Sequence, residues 1–236
     1  MFWVALQSNQ LADITHLERG RLKGPSPFLV ELKQMKKDLA EAGWVLPQLE
    51  LNMRNPINIS NIVINTFVPI DKVQNSINRL RSGTNVVGEV PIFIDAHEYG
   101  FWVAKKDEIL SFCIEEISKK DKKNIVVLCD NDMYFKDARR DLKRLIKDKT
   151  VLEYPSTESK QKGTTNVKDF IEKEGRILVT KKEYFNGCEA SNIVYLNSNW
   201  YGVRNALMRG VKNVVYVRLN DCIWIQSGMK QDKRFE

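Results

Sequence analysis

The 236-residue sequence contains no Gly-Lys dipeptide. The loop Gly-x-x-x-x-Gly-Lys-Ser/Thr, whose backbone N–H groups cradle nucleotide phosphates, is therefore absent. The only Asp-Glu pair, Asp107-Glu108, follows two lysines rather than an apolar run, so it is not a magnesium-holding strand end. Histidine occurs twice, at His16 and His97, and two isolated residues suggest neither a metal centre nor a triad. Cys113, Cys129, Cys188 and Cys222 are widely separated, which excludes a zinc pair and a dense disulfide framework. Three of them lie in apolar surroundings, as buried thiols do in a reducing compartment. No run of about 18 apolar residues offers a membrane span. The first ten residues lack the basic start and long apolar core of a secretory signal. An intracellular chain, in cytoplasm or nucleus and without membrane contact, is the expectation.

What is present is charge. Lys and Arg number 37 against 30 Asp and Glu, a net charge of +7. That excess permits an anionic partner without demanding one. Much of it sits in runs such as Lys119-Lys120-Asp121-Lys122-Lys123, and such a run is ordinarily a solvated loop.

The chain is organised around residues 176–218. Arg176 to Thr180, Ile193 to Leu196 and Val214 to Val217 are three apolar runs. Between the last two, Val203, Ala206, Leu207 and Val211 share a helical face, with Asn197 or Ser198 to cap it and Gly210 to end it. Strand, turn, strand, helix, strand is the order of α/β folds with a largely parallel sheet. Polar residues fall at the strand ends, where such sheets keep ligands. Upstream, strands are predicted at Phe2 to Leu6, Leu46 to Leu51, Val86 to Ile94, Asn124 to Leu128 and Val151 to Tyr154. Helices are predicted at Phe28 to Ala42, Ile57 to Phe67, Lys72 to Leu80, Asp107 to Ile117, Tyr134 to Ile146 and Val167 to Glu174. Residues 156–165 read as loop, and Cys222 to Ile225 as a final strand.

Four segments, in order, resemble motifs of superfamily one helicases. Ala206-Leu207-Met208-Arg209-Gly210, running into Val214-Val215-Tyr216-Val217, resembles the sixth motif, with Met208 where threonine is usual. Thr180 through Gly187 to Glu189 resembles the fifth, with one extra residue before Gly187 and Asn186 in place of lysine. Leu51-Asn52-Met53-Arg54-Asn55 resembles the fourth. Val4 to Leu11 resembles the third without its Gly-Asp. The match spans residues 4 to 217, and the sixth motif is its most specific part.

The resemblance implies a RecA-like P-loop NTPase lobe with a mostly parallel sheet flanked by helices. Residues 1–45 would be a remnant of a first lobe with a connecting helix, 46–226 the second lobe, and 227–236 a tail. It implies that Arg209 is an arginine finger, Arg54 a second γ-phosphate arginine, and Gln10 a sensor of the γ-phosphate or the attacking water. Glu189, with Gly187, would contact the nucleotide ribose. Thr180, Lys181 and Tyr184 would touch a nucleic-acid strand, with Tyr184 and Phe185 available to stack on bases. ATP and magnesium belong to the intact parent, the partner being a missing N-terminal lobe that carries the phosphate loop. The chain alone would then be catalytically silent. Plain structural roles stay open for each residue: a helix C-cap for Arg209, a turn arginine for Arg54, a polar strand end for Gln10, a surface carboxylate for Glu189, an apolar closure of the turn for the aromatic pair. The alternative reading is a helicase-derived regulatory or interaction module that unwinds nothing. Both arginines are expected to be at least partly exposed on one face of the lobe.

Overall fold

A computed structural model of the chain describes residues 34, 37–38, 41–43, 51–52, 55–65, 81–82, 84–185, 187–198, 206–207, 209–219 and 230–231. The chain enters as β1 (Leu51–Asn52), α1 (Ile57–Asn65) and β2 (Arg81–Ser82), with β1 and β2 paired in parallel. The main layer then alternates β3 (Ile92–Asp95), α2 (Tyr99–Lys120), β4 (Ile125–Cys129), α3 (Asp132–Leu145), β5 (Thr150–Tyr154), α4 (Lys160–Glu172) and β6 (Arg176–Lys181). A single 3-10 turn, Lys182–Phe185, leads to β7 (Ala190–Asn197), followed by β8 (Gly210–Arg218) and the two-residue β9 (Lys230–Gln231). The seven strands lie in the order β5-β6-β4-β7-β8-β3-β9, and every pairing is parallel. An α/β fold with a parallel central sheet is therefore what the sequence makes.

The middles of the central strands are apolar on successive residues because both faces of the sheet are covered. β4 is buried over all five residues. Successive side chains leave a strand on opposite faces, and the core divides accordingly. Ile125, Val127, Cys129, Val194 and Leu196 join Trp102, Ile109 and Cys113 of α2 and Phe135, Ala138 and Leu142 of α3. Val126, Leu128, Ile193, Tyr195 and Tyr216 join Ile59 and Ile62 of α1 and the anchoring Phe185, with Phe170 of α4 against them.

Several elements differ from the sequence expectation. α2 begins at Tyr99, well before Asp107, because Trp102 turns into the core and is only 1% exposed. Gly100 and the charged Lys105-Lys106 had masked that start. α4 begins at Lys160 inside the expected loop. The Ser159 side chain caps it by accepting from Lys162 N–H. Gly163 permits close packing there, since a Cβ would meet Ser156 N at 3.1 Å and the Tyr154 ring at 3.3 Å. The strand expected from Val86 is delayed to Ile92. Residues 86–88 instead cap α1: Ile57 N–H and Asn58 N–H donate to the Val86 and Val87 carbonyls, and Asn58 Nδ2 to that of Gly88. Gly210, expected to stop a helix, is the first residue of β8. Of that helix, Ala206 and Leu207 are helical, Arg209 lies in a turn, and Val211, expected on the helical face, is in β8; residues 199–205 and 208 lie outside the described residues, as do Phe2 to Leu6, Lys72 to Leu80 and Cys222 to Ile225.

Candidate functional site

A parallel sheet has two unlike rims. All strands end on one side, and this carboxyl rim is where open α/β sheets hold ligands, most often where neighbouring strands send their chains to opposite faces. Here that point lies between β4 and β7. The chain leaving β4 enters α3 on one face, while β7 sits between β4 and β8, the latter reached by residues 198–209 with Ala206 and Leu207 packed on the other face.

Asp130 occupies this point. Its side chain is 2% exposed and has four donors around it. Oδ1 accepts from the Tyr195 hydroxyl at 2.6 Å and pairs with Lys182 Nζ at 3.1 Å. Oδ2 accepts from Asn197 Nδ2 and from the Ser198 N–H, both at 2.8 Å. The Tyr216 hydroxyl donates to Asn197 Oδ1 at 2.5 Å, and Asn131 Nδ2 to the Ser198 hydroxyl at 3.0 Å. Burial first, then the adjacent Asp130 carboxylate, pushes the Tyr195 hydroxyl well above its ordinary range, so it stays a donor. Burial likewise raises the neighbouring Cys129 thiol, which is thereby a protonated core group and not a nucleophile.

Two strands away, Asp95 and Arg218 are register partners at the ends of β3 and β8. The guanidinium grips the carboxylate with both Nε, at 2.8 Å, and Nη2. His97 Nδ1 lies 2.7 Å from Asp95 Oδ1 and 2.9 Å from Arg218 Nη2. Burial pushes the Asp95 carboxyl up, but the hydrogen bonds from Arg218 and His97, with the arginine's charge, outweigh it and hold the group below its ordinary value. His97, which looks isolated in the sequence, is thus part of a three-residue cluster. The signal that could have found it was the pair of opposite charges ending two apolar strands. Among the described residues no group of three or more His, Cys, Asp or Glu is placed to hold a metal ion.

The residues expected to touch nucleic acid lie on this same rim, at the end of β6. Thr180 is 1% exposed and lies within the sheet. Lys181 Nζ is pinned by Glu183 at 2.8 Å and Asp132 at 3.0 Å and lies 5.1 Å from the Tyr184 ring centroid. The Glu183 hydrogen bond, then that of Asp132, raises the Lys181 pKa against the opposing effect of burial. Tyr184 is 47% exposed, edge-on to Tyr154, whereas Phe185 is buried and closes the turn over the core.

Of the residues expected at the nucleotide, Glu189 and Arg209 lie on the opposite, amino rim. Ala190 N–H donates to the Arg209 carbonyl at 3.0 Å, which sets Glu189 and Arg209 side by side where β7 and β8 begin. Asn55 Nδ2 donates to the Gly210 carbonyl at 2.7 Å across 155 positions, bringing the chain neighbour of Arg54 to the same corner. Glu189 and Gly187 are exposed, and Gly187 has φ +82°, a conformation that favours glycine. Arg209 does not meet its expectation of exposure. It is 7% exposed, because the turn from Ala206 to Gly210 folds against the core and Arg209 N–H bonds the Ala206 carbonyl. Arg54 and Gln10 lie outside the described residues, as does most of the expected first-lobe remnant.

No family model matches the chain, and no curated protein matches its sequence. Similar solved structures include the C-terminal domain of a possible DNA helicase from Lactobacillus plantarun WCFS1, at 11% identity and a TM-score of 0.48, covering 77% of this chain and 99% of that one. Domain 2 of the DEAD-box helicase Mss116p, bound to an RNA duplex, is similar at 16% identity and a TM-score of 0.43, over 56% of this chain and 54% of that one. The C-terminal part of the Fun30 ATPase domain is similar at 11% identity and a TM-score of 0.40, over 91% and 79%. With every one of these scores below 0.5, these likenesses decide nothing about activity. No helix among the described residues is long and apolar enough to cross a membrane.

Proposed function

We propose that the chain is the second, RecA-like lobe of a superfamily one helicase-like ATPase, completing a magnesium-ATP site whose phosphate loop lies on another lobe. The observation that carries this reading is the amino-rim corner. Residues that resemble three separate motifs, near positions 55, 189 and 209, meet there through the Asn55–Gly210 and Ala190–Arg209 hydrogen bonds. Phosphoryl transfer spreads negative charge over the γ-phosphate oxygens, and an arginine presented from a neighbouring lobe stabilises it. Because Arg209 is buried, this reading gives direct contact to Arg54 and makes Arg209 the residue that positions the corner. Glu189, exposed beside it, is the proposed ribose contact, with Gly187 supplying the turn before it. Gln10 is kept as the sensor at the boundary with the first lobe. Thr180, Lys181 and Tyr184 are the proposed strand contacts, with Tyr184 the stacking surface.

The test is magnesium-dependent ATP turnover by the chain expressed with any coding sequence that precedes it. Arg54→Ala is expected to lower turnover roughly 10³-fold, the scale of an arginine finger. Arg209→Ala should lower it together with nucleotide affinity, and Arg209→Lys should restore part of both. Turnover indifferent to Arg54→Ala and Arg209→Ala overturns the assignment. The chain alone should show no ATPase, with or without nucleic acid; turnover that survives repurification and vanishes in Arg209→Ala would contradict that.

A further inference from the structure

The chain's positive charge is not spread evenly over the sheet. Residues 119–124, 146–149 and 173–176 bring the chain into β4, β5 and β6 and carry eight basic side chains against three acidic ones, a net charge of +5. Residues 130–132, 155–160 and 181–185 lead out of the same three strands and carry three basic against four acidic, a net charge of −1. β5, β6 and β4 are consecutive neighbours. Two strand spacings separate β5 from β4, about 10 Å, and two more reach β8, about 19 Å in all. Lys147 and Lys149, then Arg176, then Lys122 and Lys123, then Lys212 follow one another along this rim.

Partnering differs in degree between the two rims. Lys181 and Lys182 on the carboxyl rim are both held by carboxylates, and Lys160 has no salt bridge among the described residues. On the amino rim Lys212 pairs with Asp121, Arg176 and Lys173 with Asp169, Lys119 with Glu116 and Lys120 with Glu89, while Lys122, Lys123, Lys147 and Lys149 have no salt bridge among the described residues. Of the three acids, Asp121 is buried and engaged by Lys212 and the Lys123 N–H, which leaves Asp148 and Glu174 exposed. The rim is also held in shape. Asn124 Nδ2 donates to the Lys173 carbonyl at 2.7 Å and its Oδ1 accepts from Arg176 N–H at 2.8 Å, tying two of the three loops together. Asn192 and Asn213 continue the amide ladder at 2.8 Å. Exposed or half-exposed lysines on a fixed, extended rim, with basic side chains outnumbering acidic ones, suit a repeating anion that follows the rim from strand to strand.

We infer that this amino-rim lysine row is a contact surface for the phosphate backbone of nucleic acid, separate from the carboxyl-rim residues Lys181 and Tyr184. It stands on charge placement and does not depend on the nucleotide-site reading. The test is binding of the full chain to a labelled oligothymidylate across a salt series. Lys122→Glu/Lys123→Glu and Lys147→Glu/Lys149→Glu are each expected to weaken binding about tenfold or more and to flatten the log–log salt slope by about 1.4, two backbone contacts on a single strand. The control pair Lys160→Glu/Lys162→Glu makes the same charge change at the carboxyl end, and its affinity should stay within about twofold. An equal loss in the control shows that only net charge matters and overturns the inference, as does unchanged binding in both rim variants. Binding to anionic vesicles with none to the oligonucleotide overturns it also. Lys122→Gln/Lys123→Gln guards against misfolding: with the melting temperature unchanged, it should give an intermediate loss. Failure of ATP turnover would leave these outcomes untouched.

Discussion

The two rims of this sheet use the same residue types to opposite ends. On the carboxyl rim, charged and polar groups are turned on one another: Asp130 takes four donors, Asp95 takes Arg218 and His97, and Lys181 takes two carboxylates. On the amino rim, Lys122, Lys123, Lys147 and Lys149 have no salt bridge among the described residues, and a ladder of asparagines holds the strand starts. Burial explains the contrast. A carboxylate 2% exposed, as Asp130 is, must be satisfied inside the protein, because leaving it bare costs several kcal/mol. A lysine in a loop is satisfied by water and remains available to a partner. The place where parallel sheets usually keep ligands is here largely committed to structure, and the free charge has moved to the other end.

The largest test of that contrast is Asp130→Ala. The change strands the Tyr195 hydroxyl, the Asn197 amide, the Ser198 N–H and Lys182 together. Breaking a buried charge cluster from one side costs about 3–5 kcal/mol. For a chain of this size that lowers Tm by roughly 6–20 °C, at about 2–4 °C per kcal/mol. Calorimetry showing a drop under about 2 °C would mean the carboxyl rim is not the structural one.

Gly88→Ala follows, at about 1–3 kcal/mol for a strained φ with a clash. Gly88 has φ +73°, and a Cβ there would lie 2.3 Å from the Pro56 Cβ. The segment that caps α1 would be pushed off Ile57 and Asn58. Because α1 starts beside the Asn55–Gly210 bond, this substitution should also raise hydrogen exchange at the start of β8 while leaving β6 protected. Equal loosening of β6 would show that the two rims are one cooperative unit.

The sequence made the barrel of each central strand easy to read and its ends hard. Val126, Val127, Ile193, Val194, Val215 and Val217 are apolar whatever the register, and they were assigned to strands correctly. The boundaries failed where a local residue spoke against the tertiary structure. Gly163 looked like a loop because its role, close approach to Ser156 N and the Tyr154 ring, appears only once the chain has folded back on the strand before it. Gly210 looked like a helix stop because the same residue type serves a strand start. The motif-like run from Thr180 to Glu189 has a physical cause that one sequence does not display. Between Lys181 and Ala190 the chain must return from the carboxyl to the amino rim, about 20 Å, past β4. Phe185 anchors that return in the core and Gly187 turns it. Thr180 and Glu189 therefore sit on opposite rims, although they belong to one short motif-like run. The Asp95–His97–Arg218 cluster was invisible for the complementary reason: its members meet only through register.

Acid should reach the buried carboxylates of both rims together. Asp95, Asp121, Asp141 and Glu153 all have carboxyls held below their ordinary values. In each, burial pushes the carboxyl upward and hydrogen bonds with nearby cations outweigh it. A folded value below the unfolded one means the stabilisation is fully present above the unfolded pKa and is lost as pH falls through the folded one. Urea midpoints should hold steady through neutral pH and decline only below about pH 4, the unfolded carboxylate range. Asp95→Asn should shallow that decline, and a midpoint that instead falls on raising the pH would reverse the sign of the argument.

Lys181→Met should have the smallest effect, and for that reason sharpens the comparison most. Asp132 is 72% exposed and Glu183 54%, so water screens both pairs. Exposed pairs of this kind contribute about 0.2–1 kcal/mol. The methionine keeps the aliphatic stem against Tyr184, removes one charge, and releases two carboxylates into solvent that can hydrate them. Stability should change by less than about 1 kcal/mol, and the change should shrink further in high salt as screening grows. If Lys181 is held for structure and is not the strand contact proposed for it, oligonucleotide affinity in Lys181→Met should match the wild type, even while Lys122→Glu/Lys123→Glu weakens it. A Lys181→Met variant that loses affinity tenfold with its stability intact would support that proposed contact on the carboxyl rim, beside the amino-rim row. The pairing with Asp132 and Glu183 would then be the resting state of a residue that exchanges carboxylates for phosphates on binding.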